Sequence, residues 1–287
     1  LPRVSSPLYY AAPLTPAGRA DDWCIDAVTR PPEVLFNFRK VGVETLIEDL
    51  REGALRPSLD ETGFEKADAE STVDHRDLLD NDETALEAYR KETGELLKAL
   101  TGADAVEFFD ATLRRQDASG DPAAQSPHQR VHVDQSPRSA LARALNRRAP
   151  GEFRRFQIIN VWRPLLEPVR NFPLALCDFR SLDLVADLVP TRLDFPDWLK
   201  DRENYSVRHN PKHRWYHWDS LTPDEALVFK CHDSASRALA SVGGETASGE
   251  LLDVAGLCPH TAFYDHNGPS TGHLRTSLEL RALAFHE

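Results

Sequence analysis

The sequence predicts a mainly β fold, a barrel or sandwich with helices packed outside it, and two observations predict it. Short apolar runs rich in Val, Ile, Phe and Trp crowd the second half, each bounded by Pro, Gly, Asn or Asp. The long stretch with helical spacing lies in the first half, so helices come early and strands late, with no internal repeat.

Taken in order, residues 1–33 are rich in Pro and Ala and read as an arm on the surface. Residues 34–49 alternate well enough for one or two strands, and residues 58–64 read as a turn followed by a short strand. From Asp82 to Leu100, Leu86, Tyr89, Leu96, Leu97 and Leu100 recur at helical spacing; Asn81 or Asp82 can cap the start and Gly102 the end. Residues 105–112 read as a strand and 116–130 as a polar loop. Ser136-Pro137 then starts a second helix, with Leu141 and Leu145 as its apolar stripe and Pro150-Gly151 as its end. Strand-like runs follow at 156–162, 173–178, 226–232 and 274–285, and residues 204–208 and 214–218 look like a hairpin around Asn210-Pro211.

A chain of 287 residues can bury a substantial core. One domain is expected: the arm, then strands and a helix over 34–130 packing on a core formed by 131–287. A net charge of −12 argues against nucleic acid or an anionic membrane as partner. No apolar run approaches the roughly 20 residues of a membrane span, and Leu-Pro-Arg-Val-Ser-Ser has no signal-peptide core. Cys24, Cys177, Cys231 and Cys258 are scattered without a CxxC pair; reduced thiols and a cytoplasmic location are the expectation. The chain has no Met, even at position 1. No heptad or exposed apolar face speaks to oligomeric state.

Chemistry is suggested by Val131-His132-Val133-Asp134-Gln135-Ser136-Pro137 and by Cys258-Pro259-His260-Thr261 far downstream. Alternate residues of a strand share a face, so His-x-Asp can offer two metal ligands from one short strand, and a distant His can supply a third. The triplet alone is weak. Three exist, at His75, His132 and His217, where 11 His in this composition give about one by chance. His75 sits in a charged run that reads as a solvated loop or helix start; His217 precedes turn and cap residues; His132 alone lies between β-branched residues. The last run adds Arg275, Ser277, Glu279 and Arg281 on one face, 15 residues beyond His260. A solvent-facing side is the plain reading. The alternative is a guanidinium fork holding a carboxylate, with a Ser hydroxyl beside it.

His-x-Asp, a distant His and a following Arg-x-Ser resemble the signature of iron(II)/2-oxoglutarate-dependent oxygenases. With Asn160-Val-Trp-Arg-Pro-Leu165, residues 173–178, residues 222–234, Pro259-His-Thr-Ala-Phe263 and Arg275-x-Ser-x-Glu-x-Arg281, the chain is similar to the AsaB/CmcJ-type hydroxylase/desaturase group of mainly fungal secondary metabolism over residues 34–285. The resemblance implies a double-stranded β-helix (jelly-roll, cupin-like) core, with His132, Asp134 and His260 as Fe(II) ligands. It implies Arg275 and Ser277 as holders of 2-oxoglutarate, Arg281 as a rival, and Asn160, Trp162, Arg163, Phe229 and Lys230 as pocket candidates. It further implies an O2-dependent attack on an unactivated C–H bond, ending in hydroxylation, desaturation or oxidative cyclisation, aziridine formation on an amino acid such as L-valine included. An amino-acid substrate calls for a second cation, Arg163, Lys230 or Arg281. His217 and His232 depart from the pattern; an extra histidine near the site could contact the small-molecule substrate, but both read more simply as surface residues. A zinc hydrolase on the same three residues and a non-catalytic jelly-roll binding module remain open.

Overall fold

The structure, a computed structural model, describes residues 3–15, 22–31, 34–116, 127–195, 202–244, 246–247, 249–268 and 275–287. Its strands are β1 Arg3–Ala12, β2 Trp23–Asp26, β3 Arg39–Asp49, β4 Phe64–Asp68, β5 Ala105–Arg115, β6 His132–Val133, β7 Arg155–Pro164, β8 Leu174–Cys177, β9 Leu188–Asp194, β10 Arg202–Val207, β11 Trp215–His217, β12 Glu225–Asp233, β13 His260–Ala262 and β14 Thr276–His286. The helices are α1 His75–Leu79, α2 Glu83–Thr101, α3 Pro137–Leu145 and α4 Arg237–Ser241.

The strands form two sheets, ordered β1-β3-β11-β8-β13-β6-β10-β9-β2 and β4-β12-β7-β14-β5. They face each other as a jelly roll: Phe64 of the smaller sheet meets Tyr216 and Trp218, with ring centroids 6.2 and 6.1 Å apart, and Phe229 meets His260 at 4.6 Å. One apolar cluster runs through the space between them, from Val4 to Phe285. The outer face of the smaller sheet is covered by α1 and α2, whose Leu78, Leu79, Tyr89 and Leu97 pack on Ile159, Val161, Leu278 and Leu280.

α2 matches its expected limits because both ends are specified locally. Asp82 accepts a hydrogen bond from the Ala85 amide at 2.8 Å, and Gly102, at φ 69°, closes the other end. Its buried stripe runs through Tyr89, Thr93 and Leu97, while Leu100 is exposed. Ser136 caps α3 with Pro137 in its first turn, as expected. The stripe is corrected: small Ala140 and Ala144 are buried and Leu145 is exposed, which lets α3 lie close against β10, and the helix ends at Asn146 rather than at Pro150.

Three other expectations are corrected. Residues 3–12 are a full strand, not a surface arm: Val4, Ser6, Leu8 and Tyr10 alternate inward and pair antiparallel with β3 from Arg3↔Glu48 to Ala12↔Arg39. Pro7 is tolerated because β1 lies at the edge of its sheet. The hairpin around Asn210 does not form; β10 pairs with β6 and β9, and β11 with β3 and β8. Buried Asp187 takes the connection instead, accepting from Asn210 Nδ2 at 3.1 Å and lying 2.9 Å from His213 Nε2. The polar face of β14 is not solvated: Arg275, Ser277 and Glu279 are buried between the sheets. Of the expected loop over 116–130, residues 117–126 lie outside the described residues, as does Leu274.

One turn is demanding. Gly63 has φ +89°, and an added Cβ would stand 2.6 Å from the Leu257 carbonyl oxygen, while the Gly63 carbonyl accepts from the Lys230 amide. Gly63→Ala is expected to destabilise the protein by about 1–3 kcal/mol, read as a fall in the thermal unfolding midpoint. An unchanged midpoint would mean that the turn relaxes without strain.

Candidate functional site

β6 is two residues long, yet it places the site. Val133 points into the core, while His132 and Asp134 turn the other way. The third residue is a cross-strand neighbour, since His260 on β13 stands directly opposite His132 in the antiparallel register. The long separation in sequence is closed by two adjacent strands. One ligand atom from each of His132, Asp134 and His260 lies within 4.8 Å of the others.

The hydrogen bonds define what these atoms present. His132 Nδ1 is 2.7 Å from the Arg130 carbonyl oxygen and His260 Nδ1 is 3.1 Å from that of Cys258. A carbonyl only accepts, so each Nδ1 carries the proton and each Nε2 turns a lone pair inward. Burial, with His260 alongside, pushes the His132 pKa down to about 4, so its imidazole is neutral. Asp134 Oδ1 lies 3.2 Å from His132 Nε2 and 4.0 Å from His260 Nε2. Burial opposes ionisation of Asp134, but the Arg281 guanidinium beside it holds it well below the usual carboxylate range. Two nitrogen lone pairs and a carboxylate oxygen therefore converge with no proton among them. A divalent cation relieves that repulsion, so the residues fit a metal with two imidazoles and one carboxylate.

The site opens on a cavity of about 30 Å³ lined by Arg114, His128, Trp162, Leu174, Thr261 and Arg275 among others. Arg275 is 4 % exposed. Its Nε donates to Ser277 Oγ at 3.3 Å, one terminal nitrogen donates to the Phe172 carbonyl at 2.8 Å, and its guanidinium lies 4.9 Å over the Trp162 ring. Among the described residues no carboxylate lies within ion-pair distance of it. Burial, with Arg114 nearby, lowers its pKa to about 9. A buried cation without an anion is costly, and this one lines the cavity shared with His132 and His260.

The remaining candidates divide. Phe229 packs on the His260 ring, and Trp162 lines the cavity. Asn160 reaches Asp134 rather than open space, with Nδ2 2.7 Å from Oδ2. Arg281 is held by carboxylates: Nε donates to Asp134 Oδ2 at 2.8 Å, and the two terminal nitrogens reach Asp110 and, at 2.5 Å, Glu279. Arg163 and Lys230 are corrected as pocket residues. Arg163 falls on the other face of β7, 5.2 Å over the Tyr89 ring of α2. Lys230 Nζ is buried 2.7 Å from both Asp60 and Asp233. His217 and His232 are buried, not on the surface, and lie against Phe263 and Phe156. His128 and Arg114 were not anticipated. His128 stands four residues before His132, its ring 4.7 Å from that of His132. Arg114 faces Ser277 across the β5–β14 register, which only strand pairing reveals.

The chain matches a family described as an oxidoreductase/YMDC permease-like domain over residues 9–285. Among the described residues no helix is long and apolar enough to cross a membrane. The chain is similar to the hydroxylase/desaturase efuI of Hormonema carpetanum, 31% identical over 270 residues that cover 84% of this chain and 83% of that protein. It is similar to the Fe(II)/2-oxoglutarate-dependent dioxygenase nvfI of Aspergillus novofumigatus, 28% identical over 284 residues covering 94% and 92%. To the hydroxylase/desaturase asaB of Aspergillus flavus it is 35% identical over 143 residues, 46% of this chain and 56% of that protein. A solved structure of the iron and alpha-ketoglutarate-dependent endoperoxidase NvfI superposes with a TM-score of 0.81 at 24% identity, covering 99% of this chain and 97% of that one, a likeness of fold.

Proposed function

We propose a reaction for this chain on one premise: it belongs to the AsaB-like hydroxylase/desaturase family of iron(II)/2-oxoglutarate-dependent oxygenases of fungal secondary metabolism. The chain is an oxidoreductase that uses Fe(II), 2-oxoglutarate and O2 on an unactivated C–H bond of a small secondary-metabolite precursor. His132, Asp134 and His260 hold the iron, and Arg275 with Ser277 holds the distal carboxylate of 2-oxoglutarate. Bound iron supplies the oxidising power that removes hydrogen from such a bond, at the cost of the keto acid and O2.

The chain's own residues supply the rest. Both imidazoles are held through Nδ1 by backbone carbonyls, so both Nε2 atoms are aimed at the metal position as ligands. Arg275, braced by Trp162 and the Phe172 carbonyl, orients the co-substrate without moving. Phe229 walls one side of His260 and keeps water from it. The observation that carries this reading is the buried Arg275, which meets no carboxylate among the described residues, on the cavity of the three convergent ligands; a zinc hydrolase has no use for it. Hydroxylation, desaturation and oxidative cyclisation share these requirements. Arg163 and Lys230 meet groups away from the cavity, whereas Arg114 and Arg281 line it.

We also read residues 1–287 as one domain, supported by the apolar cluster that spans Val4 to Phe285, and the location as cytoplasmic, supported by four free, buried cysteines. The test is anaerobic addition of Fe(II) and 2-oxoglutarate, which should raise a weak visible charge-transfer band. Succinate release under O2 then screens small precursors. Arg275→Leu is expected to weaken 2-oxoglutarate binding by about 10- to 100-fold, the worth of a charge-assisted pair, with metal affinity unchanged. No band in the wild type would overturn the reading.

A further inference from the structure

Two of the arginines that line the cavity, Arg275 and Arg281, stand in opposite circumstance. Arg275 is buried without a carboxylate among the described residues, whereas Arg281 is wrapped in three. We propose that Arg281 and Asn160 are positioning residues for the metal-ligating carboxylate. Together they hold Asp134 Oδ2 away from the metal so that Oδ1 alone binds it. The proposal rests on the iron reading above and goes beyond it.

The geometry carries the argument. Asn160 on β7 and Arg281 on β14 are register partners on neighbouring strands, so they approach Asp134 side by side. Both donate to the same atom, Oδ2, at 2.7 and 2.8 Å. Oδ1 is the atom left facing the two imidazoles. A carboxylate can otherwise swing to give a metal both oxygens, which would occupy a position that the keto acid or O2 requires. Two donors on Oδ2 oppose that swing. Arg281 is itself immobile: one terminal nitrogen reaches Asp110 and Thr112 Oγ1 and the other reaches Glu279. That fork fixes its plane, which a lysine at the same position could not reproduce. Asp110 and Glu279 thus act on Asp134 through Arg281, and Glu279, which lines the cavity, is engaged there rather than with a ligand.

This assignment separates the two arginines by measurement. Arg281→Lys keeps the charge and removes the fork; Asn160→Ala removes one donor and keeps Arg281. Metal affinity is measured anaerobically by Fe(II) titration and by Co(II), whose visible absorption intensity reports coordination number. 2-Oxoglutarate affinity is measured on the metal-loaded protein at saturating metal. Each variant is expected to bind metal about 10- to 100-fold more weakly, the usual effect of losing an outer hydrogen bond to a ligand. The Co(II) spectrum should shift toward higher coordination as Oδ2 is released, and 2-oxoglutarate affinity should change less than about threefold. Should Arg281→Lys fail to fold by circular dichroism, Asn160→Ala alone decides. Wild-type metal affinity and an unchanged Co(II) spectrum in the folded variants would overturn the proposal. So would a selective collapse of 2-oxoglutarate binding in Arg281→Lys, which would make Arg281 the co-substrate's holder. A wild type that binds no metal would instead remove the iron reading itself.

Discussion

Asp134→Asn is expected to bind Fe(II) at least about 100-fold more weakly than the wild type, beyond the range for outer-sphere changes, while its metal-free form unfolds at the same or a higher temperature. The two halves have one cause. In the metal-free protein the Asp134 carboxylate faces two imidazole lone pairs with no proton to share. An amide nitrogen in place of Oδ1 would donate to His132 Nε2 and relieve the repulsion. The amide oxygen, in place of Oδ2, would still accept from Asn160 and Arg281. The same change removes the anionic ligand, and with it most of the attraction for a divalent cation. His132→Ala and His260→Ala are expected to lose metal to a similar extent and to abolish the anaerobic charge-transfer band. Calorimetric Fe(II) titration and thermal melts of the metal-free proteins measure both halves. An Asp134→Asn protein that binds Fe(II) normally would show that the carboxylate is not a ligand.

The parts of this site legible in the sequence are those whose signal is local. His132 and Asp134 share a face because a strand alternates, and Arg275, Ser277, Glu279 and Arg281 share one for the same reason. α2 was legible because Asp82 and Gly102 mark its ends in the chain itself. What could not be read depends on which strands meet. The roles of Arg275 and Arg281 separate through the carboxylates around Arg281: Asp110 on β5 is brought beside it by strand register, and Asp134, held also by Asn160 on β7, comes from a distant segment. Arg163 and Lys230 show the same limit from the other side. Each is a cation in a stretch resembling the family, and each is drawn to a partner, Tyr89 or Asp233, that spacing does not reveal. β1 is hidden in the sequence for a different reason. Its alternation of Val4, Ser6, Leu8 and Tyr10 is clear, but nearby Pro and Ala suggested an arm, and an edge strand is where a Pro inside an alternating run does least harm.

The second large effect belongs to the buried ion cluster behind the sheet. Lys230 and Asp233 have fully buried side chains 2.7 Å apart, and Arg155 reaches Asp233 at 2.6 Å. Gln157 Nε2 and the Ala235 amide also donate to Asp233, at 3.0 and 3.1 Å. Asp233→Asn keeps the shape but leaves Lys230 and Arg155 with Asp60, which is largely exposed, as the remaining acid. A buried charge deprived of its partner costs about 3–5 kcal/mol, and that loss is expected in urea unfolding of the metal-free variant at pH 7. Burial raises the Asp233 pKa, but Lys230 and Arg155 overcome it and hold the carboxyl well below its ordinary value. The sign of the pH dependence follows. The unfolded carboxyl, with a pKa of about 3.9, takes up its proton first as the medium is acidified, so the cluster's contribution is complete above about pH 5 and decays below pH 4. Asparagine has no proton to gain, so the stability gap between wild type and Asp233→Asn should narrow between pH 5 and pH 3. A gap that stays constant across that range would mean that the variant fails through packing rather than charge. The double variant Lys230→Met/Asp233→Asn separates the two contributions, because it should recover part of the loss if an unpaired ammonium is its source.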